Sequence, residues 1–371
     1  MSHSSISSSD AAVAHVRTRQ FSLRRVWRFP VCVLALLAGA ELMLRIPAVR
    51  HALPIRTHYH EPGIVRRVEA LEQVLADHGT IDILFVGSSI VRCNIQPLDF
   101  DLAVLRRGLR EVSFNGGLSG LWPNAVALYV EHLWLPKAHP AVLVQGIRFG
   151  ELHSSPRARR ESAILSGPIE GRWRTNSSAS GLEISALERI HLLQYRGTLP
   201  RWLESYERGA PGESLDDDGH MLTDSRGWTP RLPTLDVALS RGLLHAEAPY
   251  SAPIKDAETA AALAAIGRTA ELCRRAGVRY VLVNVPEHAF RWSGPDGAAR
   301  YADYIATLRA LAQSLSFEFI DVTNGDSRRF ANDAEYSDYH HMSPAGAHRF
   351  TMMLASELGS RLPGTLTADR R

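Results

Sequence analysis

The sequence predicts an α/β protein: a three-layer α/β/α sandwich around a five-stranded, mostly parallel sheet of flavodoxin-like order, preceded by one N-terminal transmembrane helix. Three observations support this prediction. Five short runs rich in Val, Ile, Leu and Phe indicate strands that are buried on both faces. Segments of helical period separate these runs, as in a parallel sheet. A basic leader followed by an apolar run indicates the membrane helix.

The N-terminal residues divide into a leader and an apolar segment. Residues 1–25 are rich in Ser, Ala and Arg without a regular period, and we expect a disordered basic leader. Residues 26–46 are predicted to be a transmembrane signal anchor. The arginine excess before it predicts a single-pass protein of the inner (cytoplasmic) membrane with a periplasmic domain. A cleaved signal peptide, with AGA at 38–40 as its processing site, and a buried core helix are the alternatives.

Charge and cysteine content exclude two classes of protein. The net charge is 42 − 39 = +3, and the first 50 residues hold seven Arg against two acidic residues, 7 − 2 = +5. The remaining residues therefore sum to 3 − 5 = −2, which excludes a nucleic-acid-binding domain. The cysteines Cys32, Cys93 and Cys273 form neither a disulfide framework nor a C-x-x-C zinc motif.

Residues 47–371 are predicted to form one α/β domain. Residues 64–78 carry apolar side chains at helical spacing, and Gly79 offers a stop. The pattern that follows predicts strands at 81–87, 111–117, 141–147, 278–286 and 317–322, and further helices at 97–109, 123–137, 256–276, 298–315 and 344–360.

The interval 150–255 interrupts this alternation and is predicted to be an insertion. It is rich in Arg, Ser, Gly and Pro, and it is too long for an ordinary connection. We expect it to form a lid or a substrate surface. Its acidic run at 216–218 is most simply a solvated turn, with a calcium loop as the weaker alternative.

Three motifs follow predicted strands or open the last helix, where the carboxyl edge of a parallel sheet collects ligand-binding groups. Gly87-Ser88-Ser89 joins the first strand to a helix N-terminus, whose N–H groups can stabilise an oxyanion. NGGLSG at 115–120 has glycines that allow close backbone approach to a ligand. DYHHMSPAG at 338–346 can place a carboxylate behind an imidazole that faces a hydroxyl. Each motif alone also fits a turn or a helix cap.

Together and in this order, the motifs resemble the SGNH (GDSL-like) hydrolase superfamily over residues 81–147 and 278–360. The resemblance implies that Ser89 is the nucleophile and that Asp338 and His341 complete a catalytic triad. It also implies that Gly120 donates an N–H to the oxyanion. His340 is the rival for the role of base.

Two features depart from the family pattern. Ser88 stands where the family has Asp, and the family's G-x-N-D motif is missing after the third strand, where the chain reads VQGIRFGE. One expected oxyanion donor is therefore absent. Arg148 or the backbone of Gly146 is a candidate replacement, and Asn115 and Asn284 are further candidate polar groups.

The resemblance implies a serine-dependent acyl-ester hydrolase or O-acyltransferase that acts through acyl-Ser89 and needs no metal or cofactor. The short basic leader, the predicted anchor and the GSS motif of the chain are similar to those of cell-envelope proteins that take part in O-acyl transfer. The expected partners are an acylated glycan or small acyl ester, the membrane through the N-terminal helix, and a multi-pass membrane O-acyltransferase. The alternative is a catalytically silent scaffold or glycan-binding subunit of an envelope acylation complex. A nucleotide-binding protein is disfavoured because neither G-x-G-x-x-G nor a P-loop follows the first strand.

Overall fold

The computed structural model of the 371-residue chain describes residues 23–46, 62–152, 225–230 and 257–362. Contacts divide the chain into two compact units, residues 1–53 and 54–371. Most of the predicted leader (1–25) and most of the predicted insertion (150–255) lie outside the described residues.

The described part of the first unit is helix α1 (Leu23–Leu44), which includes Pro30. It covers most of the segment for which a transmembrane anchor is predicted. Large apolar side chains on it are exposed, among them Leu34, Leu36 and Leu42. Within the described ranges, no helix is long and apolar enough to cross a membrane.

The second unit is an α/β fold in which helices alternate with strands, as the sequence predicts. Its strands are β1 (Ile83–Val86), β2 (Ser113–Asn115), β3 (Val142–Ile147), β4 (Arg279–Asn284) and β5 (Glu318–Asp321). Its principal helices are α2 (Pro62–His78), α3 (Ser89–Asn94), α4 (Pro97–Leu105), α5 (Pro123–Tyr129), α6 (Leu135–Ala138), α7 (Ala257–Arg275), α8 (Gly297–Ser314) and α9 (Pro344–Gly359).

The five strands form one sheet in the order β2-β1-β3-β4-β5. Every pairing between neighbouring strands is parallel. This is the flavodoxin-like order, so the predicted sheet is confirmed. The order places β3 at the centre between β1 and β4, and the loops that follow β1 and β2 are neighbours at the carboxyl edge.

Two apolar cores lie on opposite faces of the sheet, which makes the fold three-layered. Successive residues of β1 alternate between them: Leu84 packs with α2, α5, α7 and α8, and Phe85 packs with α3, α4 and α9. Because β1 is covered on both faces, its sequence, Ile-Leu-Phe-Val, is a continuous apolar run without polar alternation.

Glycines and prolines set several element boundaries. Gly79 ends α2 with a φ of 76° and donates its N–H to the Leu75 carbonyl, as the predicted stop requires. β2 is shorter than the predicted 111–117: Gly116 donates the last ladder hydrogen bond, to the Phe85 carbonyl, and the Gly117 N–H then donates to the Asn115 side chain. The predicted helix 123–137 is interrupted by a π-helical turn at Val130–Trp134.

Six described residues of the insertion, 225–230, pack along the outer edge of β2. The Asn115 N–H donates to the Arg226 carbonyl at 2.9 Å, and the Trp228 indole donates to the Cys93 carbonyl at 2.8 Å. Arg67 of α2 donates to the Gly227 carbonyl and to Thr229 Oγ1, both at 3.1 Å. These contacts satisfy backbone groups that an edge strand otherwise leaves unpaired.

Candidate active site

The turn between β1 and α3 carries Ser89 at the first position of a helix. Gly87 has a φ of 152°, and a Cβ there would lie 2.4 Å from Val91 Cγ2 and 2.8 Å from the Gly146 carbonyl oxygen. Only glycine fits this turn. Ser88 is the N-cap of α3, and its carbonyl accepts the first helical hydrogen bonds. The backbone N–H of Ser89 therefore lies at the positive end of a helix turn.

The loop before α9 carries Asp338 and His341 in a fixed arrangement. Asp338 Oδ1 accepts from the N–H groups of His340 (3.0 Å) and His341 (2.8 Å), while Oδ2 lies 2.8 Å from His341 Nδ1. Ser343 caps α9 by accepting from the Gly346 N–H, and Pro344 opens the helix, as the sequence predicts. The carboxylate thus fixes both the loop backbone and the imidazole.

Asn94, the last residue of α3, joins this loop to the helix that begins at Ser89. Its Nδ2 donates to the His340 carbonyl at 3.0 Å, and its Oδ1 accepts from the Met342 N–H at 2.9 Å. The side chain is fully buried. Because both partners flank His341, Asn94 fixes the imidazole relative to the short helix that begins at Ser89.

The structure brings Ser89, His341 and Asp338 together in a continuous hydrogen-bonded chain. His341 Nε2 lies 2.8 Å from Ser89 Oγ. An ionised Asp338 only accepts, so Nδ1 carries the proton and Nε2 is free to accept the proton of Ser89. His340 Nδ1 lies 3.7 Å from Asp338 Oδ1, and His341 is the imidazole that contacts the serine. This is the geometry of a nucleophile, a base and an orienting carboxylate.

The NGGLSG loop lies beside the turn that carries Ser89. The Leu118 N–H donates to the Gly87 carbonyl at 3.0 Å, and Gly120 forms a turn with a φ of 69°. The sequence suggests Asn115 as a polar group for the oxyanion or the substrate, but its side-chain amide forms hydrogen bonds within the protein. It donates to the carbonyls of Val91 and Ile95 at 2.8 Å and accepts from Gly117 at 2.9 Å, so its described contacts hold the loop together.

Arg148, a candidate oxyanion group by sequence, lies in a buried charged cluster after β3. Its Nη1 lies 2.8 Å from Glu287 Oε1, and its Nε lies 3.7 Å from Glu151 Oε1. Ser88 donates a hydrogen bond to the same oxygen of Glu151. Burial raises the pKa of Glu151 from 4.5 to about 7, although Arg148 and Ser88 act in the opposite direction. The guanidinium is thus engaged by carboxylates.

Asn284, another candidate polar group, belongs to a buried cluster at the ends of β4 and β5. Its Nδ2 donates to the Tyr301 hydroxyl at 2.8 Å and to Asp321 Oδ1 at 2.9 Å, and its Oδ1 accepts from the Tyr304 hydroxyl at 3.1 Å. The side-chain amide of Asn284 therefore forms these hydrogen bonds with other side chains. Its contacts support the junction of β4, β5 and α8.

Within the described ranges, Asp338, His340 and His341 could also hold a metal ion, because one ligand atom of each lies within 4.8 Å of the others. However, His341 contacts Asp338 through Nδ1 and Ser89 through Nε2. A metal bound through His341 would have to displace one of these contacts.

Sequence reasoning missed three residues of this edge: Asn94, Glu151 and Glu287. The only signal for Glu151 is its position, three residues after Arg148 at the end of a predicted strand. Asn94 and Glu287 carry no spacing that distinguishes them from surface residues. Their contacts arise between segments distant in sequence, and only the folded chain shows them.

Comparisons with known proteins add the following findings. A protein-family model matches residues 255–363. No curated protein matches the chain. Among solved structures, the chain is similar to a putative acylhydrolase from Bacteroides fragilis NCTC 9343, with 11% identity, a TM-score of 0.38, and 80% of this chain and 98% of that chain covered. It is also similar to a GDSL-like lipase from Bacteroides thetaiotaomicron VPI-5482, with 11% identity, a TM-score of 0.36 and the same coverage.

Proposed function

We propose that the chain is a serine-dependent acyl-ester hydrolase of the SGNH (GDSL-like) type, with Ser89 as its nucleophile. One observation supports this proposal above the others: His341 Nε2 lies 2.8 Å from Ser89 Oγ while Asp338 lies 2.8 Å from the opposite ring nitrogen. The sequence order of the three motifs and the flavodoxin-like sheet agree with it.

The proposed reaction has two steps. In the first, His341 takes the Ser89 proton, Ser89 Oγ attacks the ester carbonyl, and the protonated His341 returns the proton to the departing alcohol. The product of this step is acyl-Ser89. In the second, His341 deprotonates a water molecule, which attacks the acyl carbon; the bond from the acyl carbon to Ser89 Oγ then breaks, and the protonated His341 returns the proton to Ser89 Oγ as the acid leaves. Asp338 stabilises the imidazolium that forms in each step.

The oxyanion of each tetrahedral intermediate is proposed to receive hydrogen bonds from the backbone N–H groups of Ser89 and Gly120. Ser89 begins α3, where N–H groups have no helical acceptor. The hydrogen bond from Leu118 to the Gly87 carbonyl keeps the Gly120 loop beside that turn. A pair of backbone N–H groups also forms the oxyanion hole of the Ser-His-Asp template.

Transfer of the acyl group to a glycan hydroxyl, in place of water, is the finer form of the proposal. The same acyl-Ser89 serves both reactions, and only the second nucleophile differs. An acylated envelope polysaccharide as substrate, the anchor at residues 26–46, the periplasmic location and a multi-pass O-acyltransferase partner stay predictions from the sequence.

A catalytically silent scaffold or glycan-binding subunit is the second candidate. Ser88 in place of the family's Asp and the missing G-x-N-D asparagine favour it. The assembled triad opposes it, because a silent protein has no need of an oriented imidazole 2.8 Å from a serine.

Hydrolysis of p-nitrophenyl acetate by Ser89→Ala tests the proposal. The variant should lose the protein's esterase activity, while Ser314→Ala, which removes an exposed hydroxyl at the end of α8, should keep it. Circular dichroism and thermal melting should show that both variants are folded. No esterase activity in the folded wild-type protein, together with no labelling of Ser89 by a fluorophosphonate probe, would favour the scaffold.

A further inference from the structure

A chain of buried polar side chains joins the nucleophile turn to the loops after β3 and β4. Ser88 donates to Glu151, Glu151 lies 3.7 Å from Arg148, and Arg148 lies 2.8 Å from Glu287. The side chains of Glu151 and Glu287 are 3% and 2% exposed. Burying two carboxylates around one guanidinium is costly, so this arrangement calls for a role beyond stability.

The far end of this chain reaches the loop that carries the triad. Glu287 is followed by His288, whose N–H donates to the Tyr339 carbonyl at 3.0 Å. Tyr339 lies between Asp338 and His341. The charged cluster is therefore linked to Ser89 at one end, through Ser88, and to the segment of His341 at the other.

Ser88 links the carboxylate of Glu151 to the helix turn that carries Ser89. Its Oγ donates to Glu151 and accepts from the Ile90 N–H at 3.4 Å, so the hydroxyl bridges the carboxylate and the first turn of α3. An ionised carboxylate only accepts, which leaves Ser88 as the donor and directs its lone pair toward Ile90. Ser89 lies between these two residues, and its N–H and Oγ move with the turn.

We propose that Glu151 is a positioning residue for the nucleophile: its carboxylate, through the hydroxyl of Ser88, holds the turn that carries Ser89. This inference rests on the proposed function of Ser89. Ser88 and Glu151 then act as one pair that occupies the place where the family has an Asp before its nucleophile. The pair holds the turn most firmly while Glu151 is ionised, because a charged acceptor forms the stronger hydrogen bond.

The groups around Glu151 set the pH at which its carboxyl group ionises. Arg148 favours the ionised carboxylate, and Glu287 opposes it. Tyr304 of α8 is also close: burial is the main reason that the pKa of its phenol is raised, and the charge of Glu151 raises it further. Burial, the largest effect, raises the pKa of Glu151 to about 7, so protonation occurs in the neutral range.

The rate at which a fluorophosphonate probe labels Ser89 tests this inference without knowledge of the natural substrate. The variants are Glu151→Gln, which is neutral at every pH, Ser88→Ala, and the double variant. Glu318→Gln is the matched control, because it removes a carboxylate that pairs with Arg279 at the opposite edge of the sheet. A hydrogen bond to a charged acceptor is stronger than a neutral one by an amount that corresponds to about tenfold in rate.

We expect Glu151→Gln to label about tenfold more slowly than wild type at pH 8.5, and equally fast at pH 5.5, where wild-type Glu151 is itself neutral. Ser88→Ala and the double variant should show the same loss at pH 8.5, because the two residues form one contact. Glu318→Gln should follow the wild-type profile.

A Glu151→Gln to wild-type ratio that is the same at both pH values would overturn the inference, since general loosening of the fold has no reason to depend on the charge of Glu151. Additive losses in the double variant would overturn it as well. If Ser89 of folded wild-type protein is not labelled at any pH, the proposed function fails, and the inference fails with it. If wild type is labelled normally and Glu151→Gln matches it, only the inference fails.

Discussion

Replacing Asp338 by Asn tests the proton-transfer geometry without removing bulk. In the native site Oδ1 accepts two backbone N–H groups, and Oδ2 lies 2.8 Å from His341 Nδ1. An asparagine that keeps the backbone contacts places its NH₂ group against Nδ1. Nδ1 must then accept, the ring proton moves to Nε2, and Nε2 donates to Ser89 where it previously accepted.

The expected loss follows from the wrong tautomer. General-base assistance is worth about 10²–10⁴-fold in rate, so kcat for p-nitrophenyl acetate should fall by this factor. The corresponding increase in the activation barrier is about 3–5 kcal/mol. KM should change little, because Asp338 is not in the proposed contact with substrate. Asp296→Asn, at an exposed position before α8, is the control with the same chemical change. A folded Asp338→Asn protein with wild-type kcat would refute the assigned role of His341.

Two further predictions concern stability, measured by urea unfolding. Gly87→Ala should lower the free energy of unfolding by about 3 kcal/mol or more, because the added Cβ would clash with Val91 and the Gly146 carbonyl. Gly108→Ala is the control: Gly108 also has a positive φ, 84°, but open space around it, so this variant should lose only about 1 kcal/mol. Equal losses in the two variants would contradict the packing argument. Because burial raises the pKa of Glu151 from 4.5 to about 7, its ionisation costs stability: the contribution of this carboxyl is full below pH 4.5 and is lost as the pH rises through 7. The free energy of unfolding of Glu151→Gln should therefore increase relative to that of wild type as the pH rises, by up to about 3 kcal/mol at pH 8. A difference between the two proteins that does not depend on pH would contradict the raised pKa of Glu151.

The sheet could be predicted from the sequence because its signals are local. β1, β3 and β4 contain short apolar runs, and segments of helical period separate the strands. A parallel sheet with both faces covered follows from these two patterns. The boundaries were less accurate where a backbone group found a distant partner. β2 ends at Asn115, whose side chain accepts from the Gly117 N–H and donates to the carbonyls of Val91 and Ile95, 24 and 20 positions away, contacts that no local pattern indicates.

Local sequence patterns predict some of the site residues and leave others unpredicted, as they do for the strand boundaries. The motifs that contain Ser89 and His341 were visible because each lies beside a strand end or a helix cap. The resemblance indicates His341 as the base with His340 as its rival, and in the structure the imidazole of His341 is the one that contacts Ser89. The contacts of Arg148 could not be foreseen, because Glu287 is 139 positions away in the chain. Long-range pairing of charges leaves no periodic signal.

Identification of the modified residue after fluorophosphonate labelling tests the central claim most directly. Peptide mapping by mass spectrometry should find the phosphonyl group on Ser89 of the wild-type protein, and His341→Ala should abolish it while the protein stays folded. Ser314→Ala should leave it unchanged. A modification on another residue, or undiminished labelling of Ser89 in the His341→Ala variant, would contradict the assignment of Ser89 and His341 as nucleophile and base.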